Sequence, residues 1–306
     1  MRGKIFSAAI ILLVFGGSFL GKGRLNRPPS GKVRQAPDHC RRIVSMAPSI
    51  TETLFALGLG DRVVGVTRYC SYPTEAKELP RIGGYLDPNF EAIVALKPDL
   101  VVMLIENEQS LPAFAKLGMT SLSVCHQNVD GILDSLLHIG QACDAEETAR
   151  SLAADLQARM GRVRRKTAGL QRPRVLCAIE RTLGSGTLED VYVAGTNGFF
   201  DKIITLAGGR NAYRGQAAAF PVVSSEGILE MNPQVIFDMV PGLAAGKHDM
   251  AKILDDWQGV EQVEAVASGQ VHAVEADYAF VPGPRFILLI EELAQRIHPE
   301  VDWDAP

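Results

Sequence analysis

The sequence predicts an α/β fold with two Rossmann-like lobes, each built on a mainly parallel sheet, joined by one long rigid α-helix. From residue 42 short β-branched runs alternate with amphipathic segments, and the same alternation begins again at residue 174. An unbroken helical pattern lies between the two series. Alternating strands and helices are typical of layered α/β domains, and 306 residues are enough for two of them.

The first 37 residues are predicted to precede the folded part. A basic start is followed by an uncharged apolar run over residues 5–21, which is typical of a secretory signal peptide. The run is slightly short of the ~20 residues that span a bilayer. No Ala-x-Ala cleavage site follows it, so a retained membrane anchor is the alternative. Residues 27–35 predict a flexible basic linker, and we expect the chain without residues 1–37 to be soluble and folded.

Residues 38–143 form the first predicted lobe. Ser49 and Glu52 fit a capping box, which predicts the start of the first helix, and Gly58 marks its end. The strand-like runs of this lobe lie at residues 43–44, 63–66, 100–104 and 121–124.

A single long helix is predicted over residues 144–170, and it connects this lobe to a second one over residues 171–306. Asp144 and Glu147 fit another cap, after which apolar residues recur at helical spacing. Basic residues near the expected end suit the negative end of the helix dipole. About 24 helical residues reach ~36 Å, which makes a stiff connection and not a loose tether.

The second lobe repeats part of the first. Residues 224–239 align without a gap on residues 89–104. Each copy predicts a short helix, a proline that stops it, and a buried strand, which explains the hydrophobic matches. The match of Glu91 with Glu226 has two explanations: the acids serve the helix dipole, or they present two matched negative charges to one partner. The strand-like runs of this lobe lie at residues 174–179, 191–194, 235–239 and 271–274.

Composition and motifs exclude several functions. From residue 38 onward acids outnumber bases by 11, which argues against nucleic acid as a partner. The chain has no P-loop and no Gly-x-Ser-x-Gly elbow, and Gly184-Ser-Gly186 lacks the third glycine of a dinucleotide site, so no catalytic residue, cofactor or metal site is predicted. Asp255-Asp256 is expected on a surface helix or turn. The five cysteines are too few and too scattered for a disulfide framework, and we expect mainly buried small hydrophobes.

Six stretches of the chain carry a family resemblance: residues 42–58, 64–73, 81–84, 91–104, 284–285 and 298–300. They resemble the periplasmic binding proteins of ABC importers for vitamin B12, haem and iron-siderophore complexes, over about residues 41–300. The vitamin B12 branch is most similar, because its Tyr-x-x-Tyr-Pro stretch matches Tyr69 to Pro73. The resemblance implies the helical-backbone metal receptor type of fold and a periplasmic or other extracytoplasmic location.

The same resemblance implies roles for individual residues. Glu91 and Glu226 match the acids with which the family grips arginines on the two permease subunits. In vitamin B12 binders two of the aromatic cleft positions commonly hold tryptophan, and this chain has Tyr85 and Phe220 there. The positions that match the aromatic lining of the ligand cleft between the lobes are Tyr69, Tyr85, Phe220 and Tyr278.

Three arginines, Arg68, Arg181 and Arg285, lie in loops that follow strands, where open α/β sheets form their ligand sites. They are predicted either to pair with anionic groups such as haem propionates or to bind a neighbouring acid. Arg181 is included in the predicted ligand site. Cys70 or a tyrosine is a candidate axial ligand for the metal of a bound complex.

These observations predict a non-enzymatic, monomeric receptor that needs no cofactor. It captures a corrinoid or an iron chelate outside the cytoplasmic membrane and delivers it to an ABC permease. An exported enzyme that acts on a metal complex in the same cleft is the alternative.

Overall fold

The computed structural model describes residues 40–215, 219–241 and 249–305. The predicted signal peptide or anchor lies outside the described residues. The strands are β1 (Ile43–Ser45), β2 (Val63–Val66), β3 (Leu100–Leu104), β4 (Ser121–Val124), β5 (Arg174–Glu180), β6 (Val191–Val193), β7 (Arg210–Asn211), β8 (Val222–Val223), β9 (Val235–Met239) and β10 (Val271–Val274). The helices are α1 (Pro48–Ala56), α2 (Phe90–Ala95), α3 (Leu111–Lys116), α4 (Val129–Ala142), α5 (Glu146–Lys166), α6 (Phe199–Leu206), α7 (Ser225–Met231), α8 (Met250–Asp255), α9 (Glu264–Ala267) and α10 (Phe286–Ile297).

The described chain divides into two compact units. The first unit comprises residues 40–158 with 281–284, and the second unit comprises residues 159–280 with 285–305. Over this part of the chain, no helix combines the length and the apolar character that are needed to cross a bilayer.

The first unit contains a four-stranded sheet in the order β2-β1-β3-β4, in which every strand pair is parallel. All five residues of β3 are buried, as expected for a parallel strand that is covered on both faces. The core of the first unit includes Val44, Ile93, Val101 and Phe114.

Helix α1 starts differently from the sequence prediction. It begins at Pro48, and its N-cap residue Ala47 provides no side-chain hydrogen bond, so the predicted capping box at Ser49 and Glu52 is wrong. Proline suits the first helical position because the donor it lacks has no helical partner there. The end of the helix is as predicted, since Gly58 has a φ of 73°.

The second unit contains a six-stranded sheet in the order β10-β9-β5-β6-β8, with β7 also paired to β5. The pairs among β10, β9, β5 and β7 are parallel, whereas β6 and β8 add antiparallel pairs. The predicted α/β fold is confirmed. Buried side chains around the fully buried Trp257 fill the core beside this sheet.

The predicted long helix is α5, which has 21 residues and is therefore about 32 Å long. Acids occupy its first turn and basic residues its last turn, in agreement with the helix dipole. The boundary of the two units falls after residue 158, within this helix. In the second unit Lys166 at the end of the helix donates to the carbonyls of Asp302 and Ala305, at 2.8 and 2.6 Å.

The two copies of the sequence repeat have the same local structure. Each helix, α2 or α7, has a polar N-cap residue, Asn89 or Ser224, that accepts a hydrogen bond from the amide three residues later. Before the proline, each copy has a residue in the left-handed region, Lys97 with φ 47° and Asn232 with φ 39°. Each then enters a completely buried parallel strand.

An arginine completes each copy of the repeat, which the sequence did not predict. The Nε of Arg42 donates to the carbonyl of Lys97 at 3.2 Å, and the Nε of Arg174 donates to the carbonyl of Asn232 at 2.8 Å. Both guanidinium groups thus satisfy a carbonyl that the end of a helix leaves without an intrahelical partner. The helices that carry Glu91 and Glu226 are therefore fixed in the same way in both units.

A disulfide joins Cys40 to Cys143 in the first unit, across 103 residues. The expected burial is confirmed for Cys40, Cys143, Cys70 and Cys177, whereas Cys125 is half-buried. The pairing of Cys40 with Cys143 was not predicted. One guanidinium reinforces the junction, because Nη1 of Arg62 donates to the carbonyls of both Cys40 and Cys143, at 3.2 and 2.9 Å.

Candidate functional site

The four predicted aromatic residues differ in exposure. Tyr69 and Tyr278 are half-buried, whereas Tyr85 is 3% exposed and Phe220 is 7% exposed. The rings of Tyr85 and Phe220 therefore do not lie open to solvent.

Tyr69 lies in a tightly bonded loop of the first unit that follows β2. The guanidinium carbon of Arg68 is 5.7 Å from the centre of the Tyr69 ring, and Arg68 forms an ion pair with Asp87. The backbone amide of Arg68 also donates to the carbonyl of Gly83 at 2.9 Å. Gly83 has a φ of 93°, and a Cβ there would come within 2.6 Å of the carbonyl oxygen of Asp87, so this close turn requires glycine. The loop therefore holds Tyr69 in a defined position.

Tyr278 lies in the second unit, just after β10, and its hydroxyl donates to Oε2 of Glu292 at 2.7 Å. Burial and the carboxylate of Glu292 raise the pKa of Tyr278, so its phenol stays protonated. Nearby, Arg285 binds both carboxylate oxygens of Asp277, at 2.7 and 3.2 Å.

Phe220 belongs to an aromatic cluster of the second unit. Its ring centre lies 6.3 Å from that of Phe200 in an edge-to-face arrangement, and Phe200 in turn packs edge-to-face on Phe199 at 5.2 Å. Such pairs stabilise a core beyond their burial alone. Replacing Phe220 therefore affects the packing of this unit as well as any ligand contact.

The prediction that Arg181 binds ligand is wrong. Its side chain is 1% exposed, and all five of its N–H groups are already bonded within the second unit. Two of its partners are the buried carboxylates of Asp238 and Asp256, at 2.6 and 2.5 Å. The sequence context predicted a surface helix or turn for Asp256. Because Asp256 is only 1% exposed, that prediction is wrong. A guanidinium without a free donor cannot pair with a ligand.

The buried carboxylate of Asp256 also explains the two glycines at 184 and 186. Its oxygens accept hydrogen bonds from the backbone amides of Gly184 and Gly186, both at 2.6 Å. Both glycines have positive φ, at 65° and 73°, which lets both of their amides point at one carboxylate. The anion that this loop binds is a side chain of the protein itself.

Each of the three arginines that were candidates for an anionic ligand is paired with an aspartate of its own unit. Arg68 is paired with Asp87, Arg181 with Asp238 and Asp256, and Arg285 with Asp277. Their positive charges are therefore compensated within the protein.

Cys70 does not have the surroundings of a metal ligand. Its sulfur is buried and lies 3.2 and 3.1 Å from the hydroxyls of Thr51 and Thr67. Burial raises the pKa of this thiol, so the thiolate that would bind a metal is disfavoured. Among the residues that the structure describes, no group of three or more His, Cys, Asp or Glu side chains is arranged to hold a metal ion.

Glu91 and Glu226 are exposed in the first turns of α2 and α7. A hydrogen bond from the Ser224 hydroxyl lowers the pKa of Glu226, which keeps this carboxylate ionised. One helical turn after each acid lies an exposed aliphatic side chain, Val94 at 41% and Leu229 at 39%. These two positions are equivalent in the repeat, so each unit presents an acid next to an apolar side chain.

Glu106 and Asn107, which were not among the predicted site residues, come just after β3, with Ile105 between. Polar residues that come immediately after a buried parallel strand lie at the edge where α/β sheets bind ligands. This signal is present in the sequence, because an apolar run ends at residues 104 and 105 and Glu-Asn follows.

The model of one protein family, described as "Periplasmic binding protein", matches residues 43–278. The chain belongs to this family. An uncharacterized ABC transporter substrate-binding lipoprotein of Bacillus subtilis, YvrC, is 30% identical over 270 residues, which cover 85% of this chain and 81% of that protein. The vitamin B12-binding protein of Vibrio cholerae is 29% identical over 259 residues, which cover 84% of this chain and 89% of that protein.

Solved structures have the same fold. The periplasmic vitamin B12-binding protein BtuF of Vibrio cholerae matches with a TM-score of 0.71 and 27% identity, over 85% of this chain and 97% of that chain. A periplasmic heme-binding protein, BhuT, in complex with two hemes matches with a TM-score of 0.72 and 26% identity, over 84% and 98%. These relatives are all named as binding proteins, which is the class that the motifs predicted.

Proposed function

We propose that this protein is the extracytoplasmic solute-binding component of an ABC importer and that its ligand is a corrinoid. Membership of the family and the likeness to vitamin B12-binding proteins support this proposal. The disulfide between Cys40 and Cys143 supports an oxidising compartment outside the cytoplasm, where such bonds persist.

The observation that carries the choice of ligand is the pairing of all three candidate arginines with aspartates. Haem has two propionates and many siderophores have carboxylates, and such anions are bound by unpaired cationic side chains. The periphery of a corrinoid carries mainly neutral amides, which need hydrogen bonds but no compensating positive charge. Arginines that are already neutralised therefore suit a corrinoid better than haem.

Tyr69 and Tyr278 are the aromatic residues that we propose for direct contact with the macrocycle, because they are half-buried and follow strands. Tyr85 and Phe220 support the site from more buried positions. Apolar contact with a well-covered ring is worth ~1.5–3 kcal/mol. Truncation of Tyr69 to alanine should therefore weaken corrinoid binding about tenfold to a hundredfold.

An iron chelate or haem is the alternative ligand, because a haem-binding protein has a similar structure. A charge-release experiment tests the choice. Purified protein is titrated with cyanocobalamin and with haem, and the titrations are repeated on Asp87→Asn, which frees Arg68. We expect wild type to prefer cyanocobalamin and Asp87→Asn to gain about twofold to fivefold in affinity for haem alone. Asp61→Asn, which removes an exposed acid elsewhere in the same unit, is the matched control, and tighter binding of haem than of cyanocobalamin by wild type contradicts the corrinoid proposal.

We further propose that Glu91 and Glu226 dock the protein on the two subunits of the permease. The support is the matched local structure of α2 and α7, each with an exposed acid followed one turn later by an exposed aliphatic side chain. Complementary charges steer association and fix the orientation of the complex. Val94 and Leu229 add an apolar contact beside each charge pair.

A further inference from the structure

A group of polar side chains in the first unit has hydrogen-bonding capacity that the fold does not use. Glu106 and Asn107 follow β3, and Tyr85 lies in the loop that precedes α2. The side-chain amide of Asn107 donates to the backbone carbonyl of Tyr85 at 2.9 Å, which ties these two loops together. Asn107 is 1% exposed, so this junction is part of the interior.

Three buried atoms of this group have no hydrogen-bond partner among the described residues: the hydroxyl of Tyr85, Oε2 of Glu106 and Oδ1 of Asn107. A buried polar atom without a partner costs about 1–3 kcal/mol, so such atoms are few in native proteins and each needs an explanation. Three of them in neighbouring loops point to a common partner outside the described residues.

The acidic group of this site is Glu106, and burial raises the pKa of its carboxyl. Within the described residues Glu106 forms no ion pair, and the side chain of Gln127 is its hydrogen-bond partner. Burial, followed by the nearby charge of Glu106, raises the pKa of Tyr85. The phenol therefore remains a donor.

We propose that Tyr85, Glu106 and Asn107 form a subsite for a primary amide on the periphery of the bound ligand. The three atoms offer one donor, the phenol, and two acceptors, the carboxylate and amide oxygens. A primary amide has the complementary set, one carbonyl and two N–H bonds. A carboxylate at the same place lacks the N–H donors that the oxygens of Glu106 and Asn107 need. The subsite thus selects amide-bearing corrinoids against carboxylate-bearing macrocycles, and this inference rests on the proposed function.

The experiment measures the affinity of the purified protein for two probes: cyanocobalamin, and the cobalamin monocarboxylic acids in which one peripheral amide has been hydrolysed. Wild type should bind at least one of these acids ~10-fold or more weakly than cyanocobalamin. Glu106→Gln should weaken cyanocobalamin binding about tenfold and reduce the discrimination against that acid, because a carboxyl acceptor of the ligand's N–H group is lost. Tyr85→Phe should weaken binding about threefold to tenfold.

Two controls separate ligand binding from folding. Glu108→Gln removes an exposed carboxylate from the same loop and should bind both probes as wild type does. Without ligand, Tyr85→Phe should melt no lower than wild type, because its hydroxyl has no partner to lose.

The outcomes distinguish this inference from the proposed function. Normal cyanocobalamin affinity in both Glu106→Gln and Tyr85→Phe overturns the subsite and leaves the corrinoid proposal intact. Equal affinity of wild type for cyanocobalamin and for every monocarboxylic acid also overturns the subsite. Absence of cyanocobalamin binding by wild type overturns both proposals.

Discussion

Removing the disulfide should destabilise the first unit strongly. The bond between Cys40 and Cys143 closes a loop across 103 residues, and loop-closure entropy gives about 5 kcal/mol for a loop of this length. For a protein of 150–250 residues, each kcal/mol shifts the melting temperature by about 2–4 °C, so the double variant Cys40→Ala/Cys143→Ala should melt about 10–20 °C lower. Arg62 continues to bridge the two carbonyls in the folded variant, but it does not constrain the unfolded chain.

Thermal unfolding followed by circular dichroism measures this effect, with Cys125→Ala as the control because Cys125 is a free thiol of the same unit. Both tryptophans, Trp257 and Trp303, belong to the second unit, so their fluorescence provides an internal reference whose midpoint should move less. Reduction of the wild-type protein should reproduce the shift of the double variant. A midpoint that stays within about 2 °C of wild type would refute the reasoning from loop closure.

Three further predictions follow from the same structure. Glu91→Gln/Glu226→Gln should weaken binding to the cognate permease in nanodiscs more at low salt than at high salt, without changing ligand affinity, and unimpaired docking of this double variant contradicts the proposed interface. Arg181→Met should lower the free energy of unfolding by about 3–5 kcal/mol, because it leaves two buried carboxylates uncompensated. Arg68→Met removes one partner of an exposed ion pair and should lower it by no more than about 1 kcal/mol. Similar losses for the two variants in urea unfolding would contradict this difference. Burial lowers the pKa of His126 to about 3, so below pH ~6.5 the unfolded chain binds a proton that the folded protein does not. Wild type should therefore lose stability as the pH falls from about 6.5 towards 3, at up to about 1.4 kcal/mol per pH unit. An equally steep loss in His126→Gln would show that another group is responsible.

The features that the sequence predicted are those that depend on local pattern. Strand and helix alternation, the long helix and the repeat of residues 89–104 in residues 224–239 all appear as periodicity or as direct alignment, and the structure contains them.

The features that the sequence did not predict depend on contacts between distant residues. Arg181 lies 57 residues before one of its aspartates and 75 before the other, so its burial cannot be inferred from its neighbours in the chain. The partners of the disulfide are similarly remote. Local pattern placed Arg181 correctly in a loop after a strand, but only the fold shows that its charge is already compensated.

The aromatic residues show an intermediate case. Their position after strands was predictable, whereas their burial was not, because it depends on packing that the pattern does not specify. Truncation of Tyr85 or Phe220 to alanine is therefore expected to weaken ligand binding and also to destabilise the fold. For a core ring the free energy of unfolding falls by ~3–5 kcal/mol.

Equilibrium dialysis of the purified protein against cyanocobalamin tests the central claim most directly, provided that the ligand is recovered afterwards and examined by absorption spectroscopy and mass spectrometry. A non-enzymatic corrinoid receptor should bind one molecule of cyanocobalamin per chain, saturably and reversibly, and return it chemically unchanged. Failure to bind cyanocobalamin, or recovery of an altered corrinoid after binding, would contradict the account.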